Sequence, residues 1–258
     1  MKNWNSYISA NAISIDDAIV LRNEPCLYKR KVSLLAPDKA RLESPLTAAT
    51  KLKSCNMPLC RRALELVELI EGVTELVGVT GGLAYNPTNA SDIDIVVYGS
   101  RLDEVYRLLV DLRQDGVTTP YRGHGHGWNR ADIALHKTIG EQRVLFGYIG
   151  GSEYNVKLVP CTRPERCMPV RLLIENLTIS GILEHVSPYT IPAVYRLMLR
   201  EPLRLNGANY SWIYVLSYRL RYTELPSGMK AEVKGVLEES EGIIRIVPDH
   251  GGYVKPLY

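Results

Sequence analysis

Hydrophobic residues recur every three to four positions in two segments of the chain, which is the pattern of an amphipathic helix. The first segment begins at Pro58, a residue that suits the first turn of a helix, and ends at Gly72, a common stop signal. The apolar positions that predict this helix are Leu59, Ala63, Leu66, Val67 and Ile70.

The second helical segment follows Ser100, which together with Asp103 predicts a capping box at the start of the helix. This helix is expected to end at Gly116, and its apolar face consists of Leu102, Val105, Leu108, Leu109 and Leu112. A third and shorter helix is predicted over residues 130–137.

Strand patterns lie before and between these helices. Residues 73–79 form an apolar run that ends at Thr80 and two glycines, and residues 91–99 form a second run. Further on, residues 145–149 and 154–159 predict a hairpin that turns at Gly150-Gly151-Ser152. Helices and strands therefore alternate in the middle of the chain, which indicates an α/β or α+β domain.

The two flanks of the chain are richer in strand patterns. Residues 16–21 and 27–32 predict a hairpin near the start. After residue 160, short strands separated by Pro and Gly turns favour a small β-barrel or sandwich; they cover residues 170–185, 191–199, 212–222, 231–238 and Ile243–Val247. We therefore predict an α+β protein with a β-rich extension at 1–57, a mixed domain at 58–160 and a β-rich domain at 161–258.

Composition excludes several classes of protein. Hydrophobic residues make up 46% and charged residues 23%, as in soluble globular proteins. The formal charge of +3 and the pI of about 8.5 are too mild to indicate nucleic-acid binding by themselves. The sequence has no apolar run of membrane-spanning length, no signal-peptide pattern and only 5 Cys. We expect a cytoplasmic protein without a membrane partner.

The run around Asp92 and Asp94 carries the strongest chemical signal. In a strand, alternation sends both carboxylates to one face while Ile93, Ile95 and Val97 point to the other. Their bases then lie roughly 6.6 Å apart, close enough for both side chains to share a divalent cation. Mg²⁺ fits best, because it binds one or two carboxylates together with substrate phosphates. The competing interpretation is a half-exposed edge strand with no ligand.

Gly81-Gly82, a spacer, and then Ser91-Asp92-Ile93-Asp94-Ile95-Val96-Val97-Tyr98-Gly99 resemble the signature of the nucleotidyltransferase superfamily. That signature is Gly-Gly or Gly-Ser followed by Asp-x-Asp, and the likeness covers mainly residues 73–99. The wider layout is similar to a group of predicted archaeal nucleotidyltransferases. The resemblance implies a polymerase β-like mixed sheet in which Asp92 and Asp94 are catalytic and hold two Mg²⁺ ions, while Gly81, Gly82 and Ser91 line the triphosphate of an NTP.

The implied reaction is transfer of a nucleoside monophosphate from the NTP to a hydroxyl group. One departure concerns the third acid of the family, because Lys157 stands at its expected place in a strand similar to that of the CCA-adding enzymes. Glu153 is an alternative metal ligand, and Asp132 is another candidate acid. Otherwise Lys157 contacts phosphate, or the protein is a degenerate member that binds nucleotide or RNA without catalysis.

Three weaker patterns complete the sequence-based predictions. The Gly-rich loop with His124 and His126 is interpreted as a solvated or substrate-contacting loop, and the cysteines as small buried hydrophobes rather than zinc ligands. Tyrosine is unusually abundant, with 16 Tyr against 1 Phe. Tyr and Arg are interleaved along residues 195–222, a composition used to bind single-stranded nucleic acid. RNA or tRNA is therefore the predicted acceptor. The alternative is that these tyrosines only cover the surface of a small barrel.

Overall fold

Two mixed sheets, each with its own hydrophobic core, organise the chain. The structure is a computed structural model that describes the backbone of residues 19–23 and 31–35, and residues 44–123, 128–161, 170–249 and 251–258 in full. Helices and strands are combined throughout these ranges, which confirms the α+β class predicted from the sequence.

The first sheet has five strands in the order β3-β4-β7-β6-β5. These strands are β3 (Val77–Thr80), β4 (Ile93–Gly99), β5 (Thr118–Pro120), β6 (Phe146–Ile149) and β7 (Ser152–Pro160). β4 and β7 pair in parallel, whereas the other neighbours are antiparallel. β4 therefore lies inside the sheet with a strand on each side, which contradicts the edge-strand interpretation of the Asp92–Asp94 run.

Five α-helices lie in the described ranges: α1 (Pro45–Leu52), α2 (Pro58–Glu71), α3 (Gly81–Tyr85), α4 (Leu102–Gln114) and α5 (Arg130–Ile139). α2 ends at Gly72 and buries the apolar stripe expected of it, except for Leu59, which is half-buried. None of these helices is long and apolar enough to cross a membrane.

The predicted capping box at Ser100 is wrong. α4 begins one residue later, with Arg101 at the N-cap position and no side-chain cap hydrogen bond. Arg101 instead donates from Nε to Glu104 at 3.0 Å, and both side chains are exposed. A surface ion pair thus occupies the first turn of this helix in place of the cap.

The strand boundaries in the first sheet follow turn chemistry. β3 starts only at Val77, since α2 extends to Glu71 and residues 72–76 form a turn and a bend. The hairpin of β6 and β7 is confirmed, and its turn uses Gly150 and Gly151 with φ of +53° and +80°. Both angles lie in the left-handed region that glycine adopts without steric cost.

The second sheet has six strands in the order β12-β10-β9-β8-β11-β13, and β12 also pairs with β11. They are β8 (Arg171–Ser187), β9 (Ala193–Leu205), β10 (Ala208–Ser217), β11 (Lys230–Ser240), β12 (Ile243–Val247) and β13 (Tyr253–Pro256). The prediction of a strand over residues 212–222 is wrong after Ser217. There Asp249 accepts hydrogen bonds from the Ser217 hydroxyl and the Tyr218 N–H, and the chain turns into a 3₁₀-helix, Leu220–Tyr222.

The N-terminal flank contains both the predicted hairpin and an unpredicted helix. β1 (Ile19–Asn23) pairs antiparallel with β2 (Lys31–Leu35), a few residues later than the sequence indicated. α1 lies within the range assigned to a β-rich extension, and its Ala48, Ala49 and Leu52 join the core of the first sheet.

The two cores divide the chain less simply than a boundary near residue 160 implies. The first core spans Ala48 to Leu158 and lies between the first sheet and α1, α2 and α4. The second core is formed mainly by side chains of the second sheet, and it also includes Leu135 and Ile139 of α5. α5 therefore precedes β6 and β7 in sequence while packing with strands that come later.

Candidate functional site

Asp92 and Asp94 converge on one point at the start of β4. Asp94 is 7% exposed and pairs with Asn155 of β7, while Asp92 directly precedes the strand. The amide Nδ2 of Asn155 lies 3.5 Å from Oδ2 of Asp92 and 3.5 Å from Oδ1 of Asp94. The two carboxylates share one face, as strand alternation predicts.

Gly81 lies directly behind the Asp94 carboxylate. Its φ is +65°, and a Cβ added there would be 2.1 Å from Oδ2 of Asp94. A side chain at this position would therefore meet both backbone strain and a steric clash. Gly82 is also close-packed, since its Cβ would lie 3.1 Å from Cα of Ala90. The two glycines begin the short helix α3.

Ser91 contacts Asp92 through its side chain. Its hydroxyl donates to Oδ1 of Asp92 at 3.2 Å. In this structure Ser91 therefore helps to orient the Asp92 carboxylate. The sequence did not indicate this contact; it predicted that Ser91 lines the triphosphate. Both functions need the same hydroxyl, so a bound phosphate would compete with Asp92 for it.

Three polar residues alternate along β7 on the side of the Asp pair. Lys157 places Nζ 3.7 Å from Oδ1 of Asp94, and Asn155 bridges the two carboxylates. Glu153 is one residue before Tyr154, the partner of Ile93, and lies close enough to Tyr121 for its charge to raise the pKa of that hydroxyl. Asn155 received no function from the sequence; its alternation with Lys157 and Glu153 was the only signal available.

Tyr121 joins the site through this contact with Glu153. Burial raises the pKa of Tyr121 to about 12, and the negative charges of Glu153 and Asp92 add to that increase. At neutral pH the hydroxyl of Tyr121 is therefore protonated, and Glu153 is the carboxylate with the largest influence on it.

Asp132, the other candidate acid, has its contacts within and around α5. Asn129 caps this helix, and in the capping box the Asp132 N–H donates to Asn129 Oδ1 at 2.9 Å while the Asn129 N–H donates to Asp132 Oδ2 at 3.0 Å. Its carboxylate accepts a 2.6 Å hydrogen bond from the Tyr222 hydroxyl and lies 3.4 Å from Nε of Arg221. These contacts make Asp132 a structural residue between α5 and the second sheet.

The donor set fits a magnesium ion that arrives with phosphates. In the described parts of the chain, no group of three or more His, Cys, Asp or Glu side chains is arranged to hold a metal ion. Asp92 and Asp94 supply two carboxylates, which is what Mg²⁺ uses when substrate phosphates complete its shell. The prediction of two ions, with Glu153 as a ligand, stays a prediction.

The Tyr- and Arg-rich segment divides between core and surface. Tyr195 and Tyr222 are fully buried, and each hydroxyl has a hydrogen-bond partner. On the outer face of β9 and β10, the guanidinium carbon of Arg196 lies 4.9 Å from the ring centre of Trp212. Arg196 is also paired with Glu184 at 3.4 Å. Only part of the Tyr- and Arg-rich segment is therefore an exposed aromatic surface.

The cysteine prediction needs a correction. Cys55 and Cys60 form a disulfide between the end of the α1 segment and the first turn of α2, rather than acting as separate small hydrophobes. Cys161 is free and exposed. Cys167, like His124 and His126, lies outside the described residues.

No known family model matches the chain, and no curated protein matches it. Its fold and the Asp92–Asp94 site therefore carry the functional assignment.

Proposed function

We propose that the protein is a Mg²⁺-dependent nucleotidyltransferase that transfers a nucleoside monophosphate from an NTP to a hydroxyl acceptor. The observation that carries this proposal is the convergence of Asp92 and Asp94 on an interior strand, with Gly81 packed against Asp94. We also propose that the first sheet has the nucleotidyltransferase-like fold.

Five residues of the site have a proposed function in this reaction. Asp92 and Asp94 would hold the ion, whose charge would offset that of the phosphates and favour in-line attack. The glycines allow the triphosphate to approach the backbone, and Lys157 contacts a phosphate. The acceptor oxygen bonds to the α-phosphorus as the bond to the bridging oxygen breaks; pyrophosphate leaves with that electron pair, and the hydroxyl proton passes to solvent.

A second candidate function is nucleotide binding without transfer. The presence of Asn155 and Lys157 beside the Asp pair favours it, because neither side chain brings the negative charge of a third carboxylate, and neither an amide nor an ammonium can act as a general base. Both candidate functions require nucleotide binding, and only the first includes transfer of the nucleoside monophosphate.

We propose that RNA is the acceptor and that it binds to the second sheet. Because β12 pairs with both β10 and β11, we propose that its strands close into a small barrel that displays Trp212 and Tyr214. Aromatic side chains on such a surface can stack with unpaired bases.

The test incubates the protein with each α-labelled NTP, Mg²⁺ and total RNA, and follows label in RNA and in protein. Asp92→Asn and Asp94→Asn should abolish transfer, while Asp103→Asn on the exposed surface of α4 should not. Nucleotide binding is measured in parallel by calorimetry. Asp-dependent binding without transfer would support the second candidate, and the absence of both would reject the two together.

A further inference from the structure

Lys157 brings a positive charge directly to a carboxylate of the Asp pair. Its ammonium lies 3.7 Å from Oδ1 of Asp94, and its side chain is 41% exposed. Asn155, two residues earlier on the same face, gives the carboxylates a neutral amide donor. Lys157 therefore offsets part of the negative charge of the Asp pair, whereas a third acid at its position would add to that charge.

The charges of two alternative sites can be compared. Three carboxylates with two Mg²⁺ ions leave one net positive charge facing a triphosphate. Two carboxylates, one ammonium and one Mg²⁺ leave the same net charge. Lys157 can therefore reproduce the electrostatic environment of a two-ion site with a single ion.

We propose that the ammonium of Lys157 takes the place of one metal ion, so that the site binds its nucleotide with a single Mg²⁺. This inference rests on the proposed function, since it concerns the same nucleotide site. The flexible four-carbon stem lets the ammonium move from Asp94 to a phosphate oxygen when the ion occupies the carboxylates. An ammonium is a point charge that binds phosphate well, but it lacks the directed coordination of a metal.

The experiment counts bound ions rather than measuring turnover. Mn²⁺ replaces Mg²⁺, and electron paramagnetic resonance measures bound Mn²⁺ in the presence of α,β-methylene analogues of the four ribonucleoside triphosphates, each tested separately. The wild-type protein should bind one Mn²⁺ per bound analogue. Lys157→Asp should bind two, because it replaces the ammonium by a third carboxylate on the side of the Asp pair, opposite Val96.

Two further variants keep the inference testable if Lys157→Asp does not fold. Lys157→Met should keep one Mn²⁺ and bind the analogue about tenfold more weakly, a loss of about 1.4 kcal/mol. Lys230→Asp, at an exposed position of β11, should change neither value.

Two Mn²⁺ ions in the wild-type protein, or unchanged analogue affinity in Lys157→Met, would overturn the function of Lys157 and leave the proposed nucleotide site standing. A wild-type protein that binds no analogue with Mn²⁺ would overturn the nucleotide site itself, and this inference with it.

Discussion

The backbone of Gly81 and the carboxylate of Asp94 occupy adjoining space, so the chemistry of one residue depends on the shape of the other. Gly81 has a positive φ, and Oδ2 of Asp94 lies where a Cβ would be. Gly116 also has a positive φ, of +74°, but no atom lies within 4 Å of its missing Cβ. A comparison of Gly81 with Gly116 therefore separates the cost of backbone strain from the cost of steric contact.

Gly81→Ala should reduce the free energy of unfolding by about 2–5 kcal/mol, the sum of left-handed strain and overpacking. Gly116→Ala should cost only the strain, about 1–2 kcal/mol. Urea unfolding of both variants measures the difference. Equal losses would mean that Asp94 moves away from the new methyl group at no cost, and analogue binding would then show whether the site tolerates that movement.

His136 is a second residue whose environment gives a clear expectation. Its Nε2 donates to the backbone oxygen of Tyr121 at 2.8 Å, and its Nδ1 is buried without a hydrogen-bond partner. Burial is the main cause that lowers the pKa of His136, while Arg143 and Glu141 act on it in opposite directions. The folded protein thus favours the neutral ring.

Because the folded state resists protonation of His136, the unfolded state binds the extra proton first, and stability should fall as pH decreases below about 6.5. His136→Gln keeps an N–H donor but does not titrate. Thermal unfolding at pH 7.5 and 5.5 should therefore show a larger loss for the wild-type protein than for the variant. Equal losses would indicate that His136 titrates alike in both states.

At the scale of elements, long periodic segments were predictable and short ones were not. α2 and the β6–β7 hairpin follow from apolar spacing and from Gly150-Gly151. α3 has only five residues and begins with two glycines, so propensity argues against it. Asn155 was missed for another reason, since its importance comes from the register that places it opposite Asp94. Local sequence patterns do not determine how strands distant in sequence pair.

The outer face of the second sheet carries two rows of paired residues across its strands. One row is apolar and includes Ile182, Met198 and Trp212, of which Trp212 is 38% exposed. The next row has an acidic residue at each end and two arginines around a tyrosine, and consists of Glu184, Arg196, Tyr214, Arg245 and the buried Glu238. Because each arginine has a glutamate partner, stacking rather than net charge would dominate RNA binding here.

Trp212→Ala should weaken binding of a single-stranded RNA oligonucleotide about tenfold, since stacking on one aromatic ring contributes about 1–3 kcal/mol per base. Tyr258→Ala, at a fully exposed position away from β10, is the control. Fluorescence anisotropy measures both affinities. Equal binding by wild type and Trp212→Ala would remove this face from the RNA-binding proposal.

At the scale of the whole molecule, a buried ion pair connects the two sheets. Arg143, only 1% exposed, lies 3.6 Å from Glu224 and donates from Nη2 to the backbone oxygen of Leu220 at 2.8 Å. Glu224 accepts from the Val144 N–H at 2.7 Å. Burial lowers the pKa of Arg143 to about 10 and raises that of Glu224. Each charge therefore depends on the other.

Glu224→Gln should lower the free energy of unfolding by about 3–5 kcal/mol, because it leaves the Arg143 charge buried without its partner. Glu104→Gln breaks the exposed pair with Arg101 and should leave the stability almost unchanged, because solvent screens a surface ion pair. Calorimetry of both variants provides the comparison. A small effect at Glu224 would indicate that the backbone oxygens around Arg143 are sufficient to hold its charge.

The position of α5 has a consequence for synthesis on the ribosome. Leu135 and Ile139 belong to the second core, and Asn129 donates from Nδ2 to the backbone oxygen of Gly252 at 3.3 Å. α5 emerges before the last strands of the first sheet, yet the partners of its apolar face emerge about a hundred residues later. During translation that face therefore stays without its native partners, and the second core is complete only when Val254 of β13 has left the exit tunnel.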